Sequence, residues 1–510
     1  MDPTTILVIA IAILLLYHYS TKQQNIFKKH GLPFKRSIPL LGSSWSAMLH
    51  LKPFATMVRD IYDMAPEAKY VGFYHRMAPV VMIRDPELIK SVAIKNFDRF
   101  PDHRTFGDGD ADPFFSKNLL LLRGDRWKEV RALLTPAFTS SKMKSMFVLM
   151  SDCAVNYGQS LAALPADQRS IEMKDTFTRY TNDVFASCAF GINVDSLADR
   201  DNKFYFYGKE ALDIHSTGIL KLVMLIVFPR LSRKLGIRFI RKEVTEFFED
   251  IVAANIKARD ETGVSRPDLI QLMMETRGRL EPGKELTIVD MTSQAFSFFF
   301  GGFETTSTLL CFAVHELAAN PELQERLHNE IDRVLEDSDG KVAYEAINGM
   351  RFLDAVVNET LRMYPVIPIT DRQCTKPFEL PPALPGLEPF TMKEGSHLWL
   401  PIYGIQYDSK YFDRPETFDP DRFMDKRANV LNSGAYLPFG MGPRICIGYR
   451  FAILETKVAL FHILARCDFT ISSKTQIPIK LGKGGAFLKA ERGFWLQVRS
   501  RNNPLVSAVA

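Results

Sequence analysis

The chain has 510 residues, 46% apolar and 24% charged, the balance of an ordinary globular protein long enough for several average domains or one large one. Lysine and arginine number 64 against 59 aspartate and glutamate, and an excess of 5, with no long basic run interleaved with aromatics, gives no case for nucleic acid. Six scattered cysteines without a C-x-x-C pair exclude a disulfide scaffold, a zinc knuckle and a thioredoxin-like site, so free thiols in a reducing compartment are expected. The 38 phenylalanines fit either a large core or an aromatic-lined apolar pocket.

The first element is apolar. Thr4 to Tyr19, TTILVIAIAILLLYHY, would span ~24 Å as a helix, short but workable against a bilayer core of about 30 Å. No basic residue precedes it and no small-x-small cleavage site follows, which argues for an uncleaved anchor over a secretory signal. Lys22, Lys28, Lys29, Lys35 and Arg36 follow, so the positive-inside rule keeps the body of the protein cytosolic. Pro33 and Pro39 stiffen the next stretch into an extended linker. The expected organisation is an anchor over residues 1–20, a linker over 21–42 and one large domain over 43–504.

Within that domain, helical periodicity covers 55–65, 86–95, 125–150, 170–190, 238–258, 287–320, 322–336, 350–364 and 447–466. Strand-like patches fall near 68–84, 366–402 and 475–500. The fold class is therefore mainly α with small β-sheets, without internal repeats. Ile219–Phe228, followed by Arg230, Arg233, Lys234 and Arg238, reads equally as a core helix or as a surface dipping into the lipid interface.

The helix over 287–320 stands out. Thr287 can cap it with Asp290 three positions on, and Pro321 stops it after ~50 Å. Gly301 and Gly302 in its middle each cost about 1 kcal/mol against alanine, so either something approaches the backbone closely or the helix distorts. Glu304, Thr305 and Thr306 follow; the threonines could simply bond back to the i−4 carbonyl.

Pro438–Val458, PFGMGPRICIGYRFAILETKV, sets Cys446 at the head of a periodic helix, where N–H donors and the dipole favour a thiolate. Gly440, Gly442 and Gly448 let the chain turn tightly beside a flat ligand, and Arg444 could pair with a carboxylate on it. No histidine is at hand for a catalytic thiol, and the glycine spacing is wrong for a dinucleotide loop. A single thiolate beneath a macrocycle fits all these features.

The segment resembles the haem-binding signature of cytochrome P450, F-x-x-G-x-R-x-C-x-G, matched at Phe439, Gly442, Arg444, Cys446 and Gly448. The likeness runs along nearly the whole chain. Glu359–Arg362 is similar to the family's E-x-x-R motif, and Arg422 in RPETFDPDRF would complete a structural Glu–Arg–Arg cluster. Trp127 and Arg131, one turn apart, resemble the pair that reaches haem propionates, whereas Ile369 stands where relatives often place another propionate-binding Arg or His, with an arginine only at 372. Gly301–Thr306 resembles the oxygen-activation segment, which implies that Thr305 aids proton delivery and Glu304 connects to water. The anchor, the proline hinge and Thr181–Ile192 are similar to animal microsomal members, especially insect and vertebrate enzymes oxidising lipophilic foreign compounds.

The resemblance implies a monooxygenase of the endoplasmic reticulum membrane that carries haem b on Cys446. It would use O2, a lipophilic substrate and electrons from NADPH through a separate reductase, with cytochrome b5 as an optional second donor. Arg123, Arg126 and Lys128 could meet such a partner, or form only a solvated face. Pocket walls implied by the resemblance are Phe106, Phe114, Phe115, Phe296, Phe303, Val366, Ile367 and Phe487. Two rivals keep the haem: an isomerase or dehydratase of lipid peroxides, against which Glu304 and Thr305 argue, and a non-enzymatic haem protein.

Overall fold

The structure, a computed structural model, describes residues 2, 11, 25–39, 41–104, 112–212, 221, 224–225, 229–276, 286–338, 340, 342–424, 427–501 and 503. The expected anchor, apart from Ile11, most of 219–228 and the side chains of Phe106 and Phe115 lie outside the described residues. Packing divides the chain into two compact units.

The first unit comprises Met1–Arg104, Leu361–Ile445 and Leu481–Glu491. Its main sheet has four strands. Tyr70–His75 pairs antiparallel with Ala78–Ile83, which runs parallel to His397–Leu400, itself antiparallel to Thr370–Gln373. Arg76, at φ +57°, makes the tight turn between the first two strands. The helix Phe54–Tyr62 buries Ala55, Met57, Val58, Ile61 and Tyr62, a face built on spacings of three and four residues, and Val58 and Ile61 join Phe73, Val81 and Leu398 in the core. Phe378–Leu380 pairs antiparallel with Phe390–Met392 in a separate two-stranded sheet.

The second unit comprises Thr105–Thr360, Cys446–Lys480 and Arg492–Ala510. Five of its helices position the site: α1 (Gly124–Leu134), α2 (Ser140–Ala162), α3 (Met173–Phe190), α4 (Ile288–Ala319) and α5 (Tyr449–Leu464). α4 packs on α3 and α5, and α2 packs on α3 and α5. Thr287 and Asp290 form the expected capping box. Although α4 is long and apolar enough to cross a membrane, most of it is buried.

Three expectations need correction. The stretch 125–150 is two helices, because Pro136 lacks an N–H and breaks the ladder into the 3-10 turn Thr135–Phe138. The strand patch over 475–500 yields one strand, Trp495–Ser500. It pairs with Cys467–Ile471, just past the end of α5, and with Ser170–Glu172, at the start of the stretch read as helix over 170–190. The helix Lys203–Leu212 carried no recognised signal; its aromatic residues serve a cluster built from other helices, with Phe204 against Phe190, Phe248 and Phe299.

Candidate active site

In the second unit, Cys446 precedes α5 and Gly448 is that helix's N-cap. Cys446 is exposed at the surface, yet the protein around it still desolvates the thiol. Burial pushes its pKa up; the Gly448 N–H and the Arg131 guanidinium act the other way without prevailing. The favourable helix-end influence is present, but the net direction is opposite to the sequence expectation, because desolvation is the larger effect. A bound cation is the kind of charge that inverts this balance.

Trp127 is buried on α1, and Arg131, one turn later, is half-buried with its charge felt by Cys446. Phe138, in the turn after α1, stacks on Phe298 of α4 at 5.2 Å between centroids and 14° between planes. A Cβ on Gly448 would sit 3.8 Å from the same ring, so Phe138 brings the head of α5 beside α4.

α4 is buried around most of its circumference. Between Asp290 and Glu316, Ser297, Phe298, Phe300, Gly301, Glu304 and Thr305 are not, and at 100° per residue they occupy one arc of about 160°. The two glycines have different reasons. A Cβ on Gly302 would lie 1.8 Å from Phe185 Cζ on α3, whereas one on Gly301 would meet nothing within 4 Å. Close helix packing requires the first; the second keeps the open face bare. The Thr305 hydroxyl donates to Gly301 O, the back-bond weighed from sequence, and its oxygen remains an acceptor. Glu304 is held by Lys174 of α3, a residue that sequence reasoning missed. Lys174 Nζ lies 3.0 Å from Glu304 Oε1 and donates to Glu304 O, Ser307 Oγ and Thr308 Oγ1 at 3.1, 2.8 and 2.7 Å.

The aromatic side chains separate into two groups. Phe296 and Phe303, expected as pocket walls, are buried in a cluster with Phe248, Phe299 and Tyr205, so the bulk-core reading applies to them. Phe114 packs on Phe296 at 4.8 Å. The open rings on α4 are Phe298 and Phe300. Arg126 and Lys128 are each paired three residues away, with Glu129 and Asp125, as a solvated face would be. Glu359 is fully buried.

In the first unit, Gly442 sits at φ +76°, and a Cβ there would lie 2.0 Å from Ala93 O, so only glycine fits. Phe439 is half-buried two residues before Met441. Arg444 was expected to meet a ligand carboxylate; two of its nitrogens are taken by protein instead. Nε donates to Pro101 O at 2.6 Å and Nη2 to Asp102 Oδ1 at 3.1 Å, with the side chain only 2% exposed. Arg372 is fully buried, donates Nη2 to Met441 O at 3.3 Å, and leaves Nε without a partner; burial lowers its pKa to about 10. Beside it, Asp371 accepts from the Arg104 N–H at 2.7 Å and lies 2.9 Å from His103 Nδ1. Ile369 packs against the apolar core. Arg362, fully buried, donates to Gln406 O and Thr417 O, and Gln406 Oε1 receives the Leu437 N–H, which fixes the chain entering the Phe439 turn. Arg422 is half-buried in the turn Pro420–Phe423. Val366 is buried, Ile367 is exposed, and Phe487 lines a small cleft with Phe54, Pro368 and Leu481.

The cytochrome P450 family model matches residues 35–498. Cytochrome P450 9e2 of Blattella germanica is 42% identical, over 97% of each chain. Probable cytochrome P450 9f2 of Drosophila melanogaster is 36% identical, over 97% of this chain and 98% of its own. Cytochrome P450 6j1 of Blattella germanica is 33% identical, over 96% of each. With a full-length family match joined to an accessible cysteine at the head of α5, the chain belongs to the cytochrome P450 family and is a monooxygenase of that family.

Proposed function

We propose that the chain is a membrane-anchored haem-thiolate monooxygenase that oxidises lipophilic foreign compounds with electrons from NADPH passed through a separate flavin reductase, cytochrome b5 serving as an optional second donor. Residues 1–20 form the anchor in the endoplasmic reticulum membrane, 21–42 the linker and 43–504 the catalytic domain on the cytosolic side. The apolar run and the lysines after it support this reading.

The residues present fit haem b. The observation that carries the reading is the accessible Cys446 thiol, in the same unit as the bare Ser297–Thr305 face of α4. Cys446 is the metal ligand; Gly448 donates an N–H to its sulfur and Arg131 supplies positive charge nearby. Trp127 and Arg131 are the candidates for the carboxylates of the macrocycle. Phe439, Gly442 and Arg444 shape the turn before the cysteine, Arg444 through Pro101 and Asp102. Haem, when bound, supplies oxygen activation and transfer of one oxygen atom to a C–H bond.

The protein's own work is positioning and proton handling. Gly301 keeps side-chain bulk off the open face. Thr305 Oγ1 holds a proton on Gly301 O and accepts another, so it can pass protons from water. Glu304, tethered by Lys174, is the carboxylate beside it. Reconstitution with NADPH and a reductase should give product from lipophilic substrates. Thr305→Ala should raise peroxide release relative to product. Turnover of a lipid peroxide without any reductase, and none with it, would transfer the assignment to the isomerase class.

A further inference from the structure

On the side of α4 opposite the open arc lies a polar group that the oxygen chemistry does not use. Glu455 is on α5, nine residues after Cys446, and is fully buried. Neither of its carboxylate oxygens has a hydrogen-bond partner. Thr306 of α4 and Tyr180 of α3 are equally buried, and their hydroxyls are likewise without one. The Thr306 hydroxyl is near enough to act on the Glu455 carboxyl but does not meet hydrogen-bond geometry, and Glu455 is the foremost charged neighbour felt by Tyr180. Four buried oxygens on α3, α4 and α5 are thus left without a partner, α4 packing on both of the other helices and Phe185 of α3 touching Phe451 of α5.

Buried polar atoms in native interiors are satisfied, and where protein cannot reach, ordered water does so. The charges around the site favour a neutral acid. Cys153 of α2 and Tyr180 and Cys188 of α3 lie within range of the Glu455 charge, and Asp183 of α3 is engaged by Tyr157, Asn182 and Ser196. On α5 itself, Lys457 is turned to Asp354 and Asn348 O, and His462 is buried. None of these supplies a cation to the carboxyl, and burial raises its pKa well above the ordinary range.

We propose that Glu455 is a neutral carboxylic acid held by internal water that it shares with Thr306 and Tyr180. The acid donates from one oxygen and accepts at the other, and each hydroxyl donates and accepts, so a water-bridged ring among them balances. Glu455 is then a positioning residue. It fixes the rotation of α5, and so of Cys446 at its head, against α4 and α3. This goes beyond the monooxygenase reading and does not depend on it.

Infrared spectra of the full-length protein test the protonation state. A carboxylic-acid carbonyl band that shifts in deuterated water is expected at neutral pH, absent from Glu455→Gln and displaced in Tyr180→Phe. The sign of the stability effect is set as well. A raised acid means that the unfolded chain gives up its proton first, so stability falls as pH rises above the ordinary glutamate range. Glu455→Gln removes that slope, and its melting temperature at neutral pH should equal or exceed that of the parent. A crystal structure should show water within hydrogen-bond reach of at least two of the three side chains. A missing band, a Gln variant less stable with an unchanged slope, or a dry site would each overturn the proposal; failure of Gln to fold would do the same, since an amide replaces a neutral acid closely.

Discussion

Lys174 of α3 and Glu304 of α4 are joined twice: Nζ stands 3.0 Å from the Glu304 carboxylate and donates to the same residue's backbone carbonyl at 3.1 Å. The ammonium has three protons and four acceptors within reach, all on the turn that follows the glycine pair. Lys174 thus limits where the Glu304 carboxylate can go. Lys174→Met should release it, and product formed per NADPH should drop roughly tenfold, ~1.4 kcal/mol, within the worth of one charge-assisted hydrogen bond. Peroxide and product are measured together across pH. Lys174→Arg should restore part of the coupling, and the double variant with Glu304→Gln should be no worse than Glu304→Gln alone.

The glycine pair predicts two opposite outcomes from one chemical change. Gly302→Ala drives a methyl into the Phe185 ring, which also packs on Phe451 of α5, and should lower stability by about 1–3 kcal/mol. Gly301→Ala meets open space and should gain up to ~1 kcal/mol of helix propensity. Thermal unfolding separates them. Gly301→Ala should also change substrate affinity, because it adds bulk to the open face.

Local rules explain which parts were legible. The capping box of α4 and its stop at Pro321 are contiguous in sequence, so the helix bounds were readable to within a residue. The cysteine loop was readable because glycine, proline and arginine at fixed spacing leave few chemistries open. Lys174 was not readable: its partner is 130 residues away, and a lysine at a helix start carries no pattern. The same holds for His103 and Arg104, which meet Asp371 across more than 260 residues. Phe296 and Phe303 misled because a phenylalanine looks alike in a core and on a pocket wall. Only the neighbouring helices decide, and one of them, Lys203–Leu212, had escaped notice.

Arg444 offers a test of the turn before the cysteine. Its fork spans Pro101 O and Asp102, a geometry that a lysine ammonium cannot copy. Arg444→Lys should cost about 2 kcal/mol, the range for charge-assisted hydrogen bonds lost in a buried place. It should also lower the fraction of protein recovered with haem, read as Soret absorbance against total protein. Asp102→Asn, which keeps the shape and one acceptor, should cost less. Equal losses in both would mean that the Asp102 charge, not the fork, holds the turn.

Two desolvated histidines, His75 half-buried and His462 buried, predict how the protein fails in acid. Burial, helped by Arg104 and Arg76, lowers the pKa of His75 to about 3, and burial with Arg466 lowers that of His462 to about 3. Both are neutral in the folded state, and each has a ring nitrogen without a partner. A depressed histidine binds its proton in the unfolded chain first, so the stability it confers is intact above the ordinary value of about 6.5 and is lost as pH falls toward the folded value. Each site should contribute a slope of about 1.4 kcal/mol per pH unit over that window. Denaturant titrations between neutral pH and about pH 4.5 should show the decline, reduced by one site's share in His462→Gln, which cannot take up the proton. A variant whose stability falls with the parent's full slope would place the acid sensitivity elsewhere.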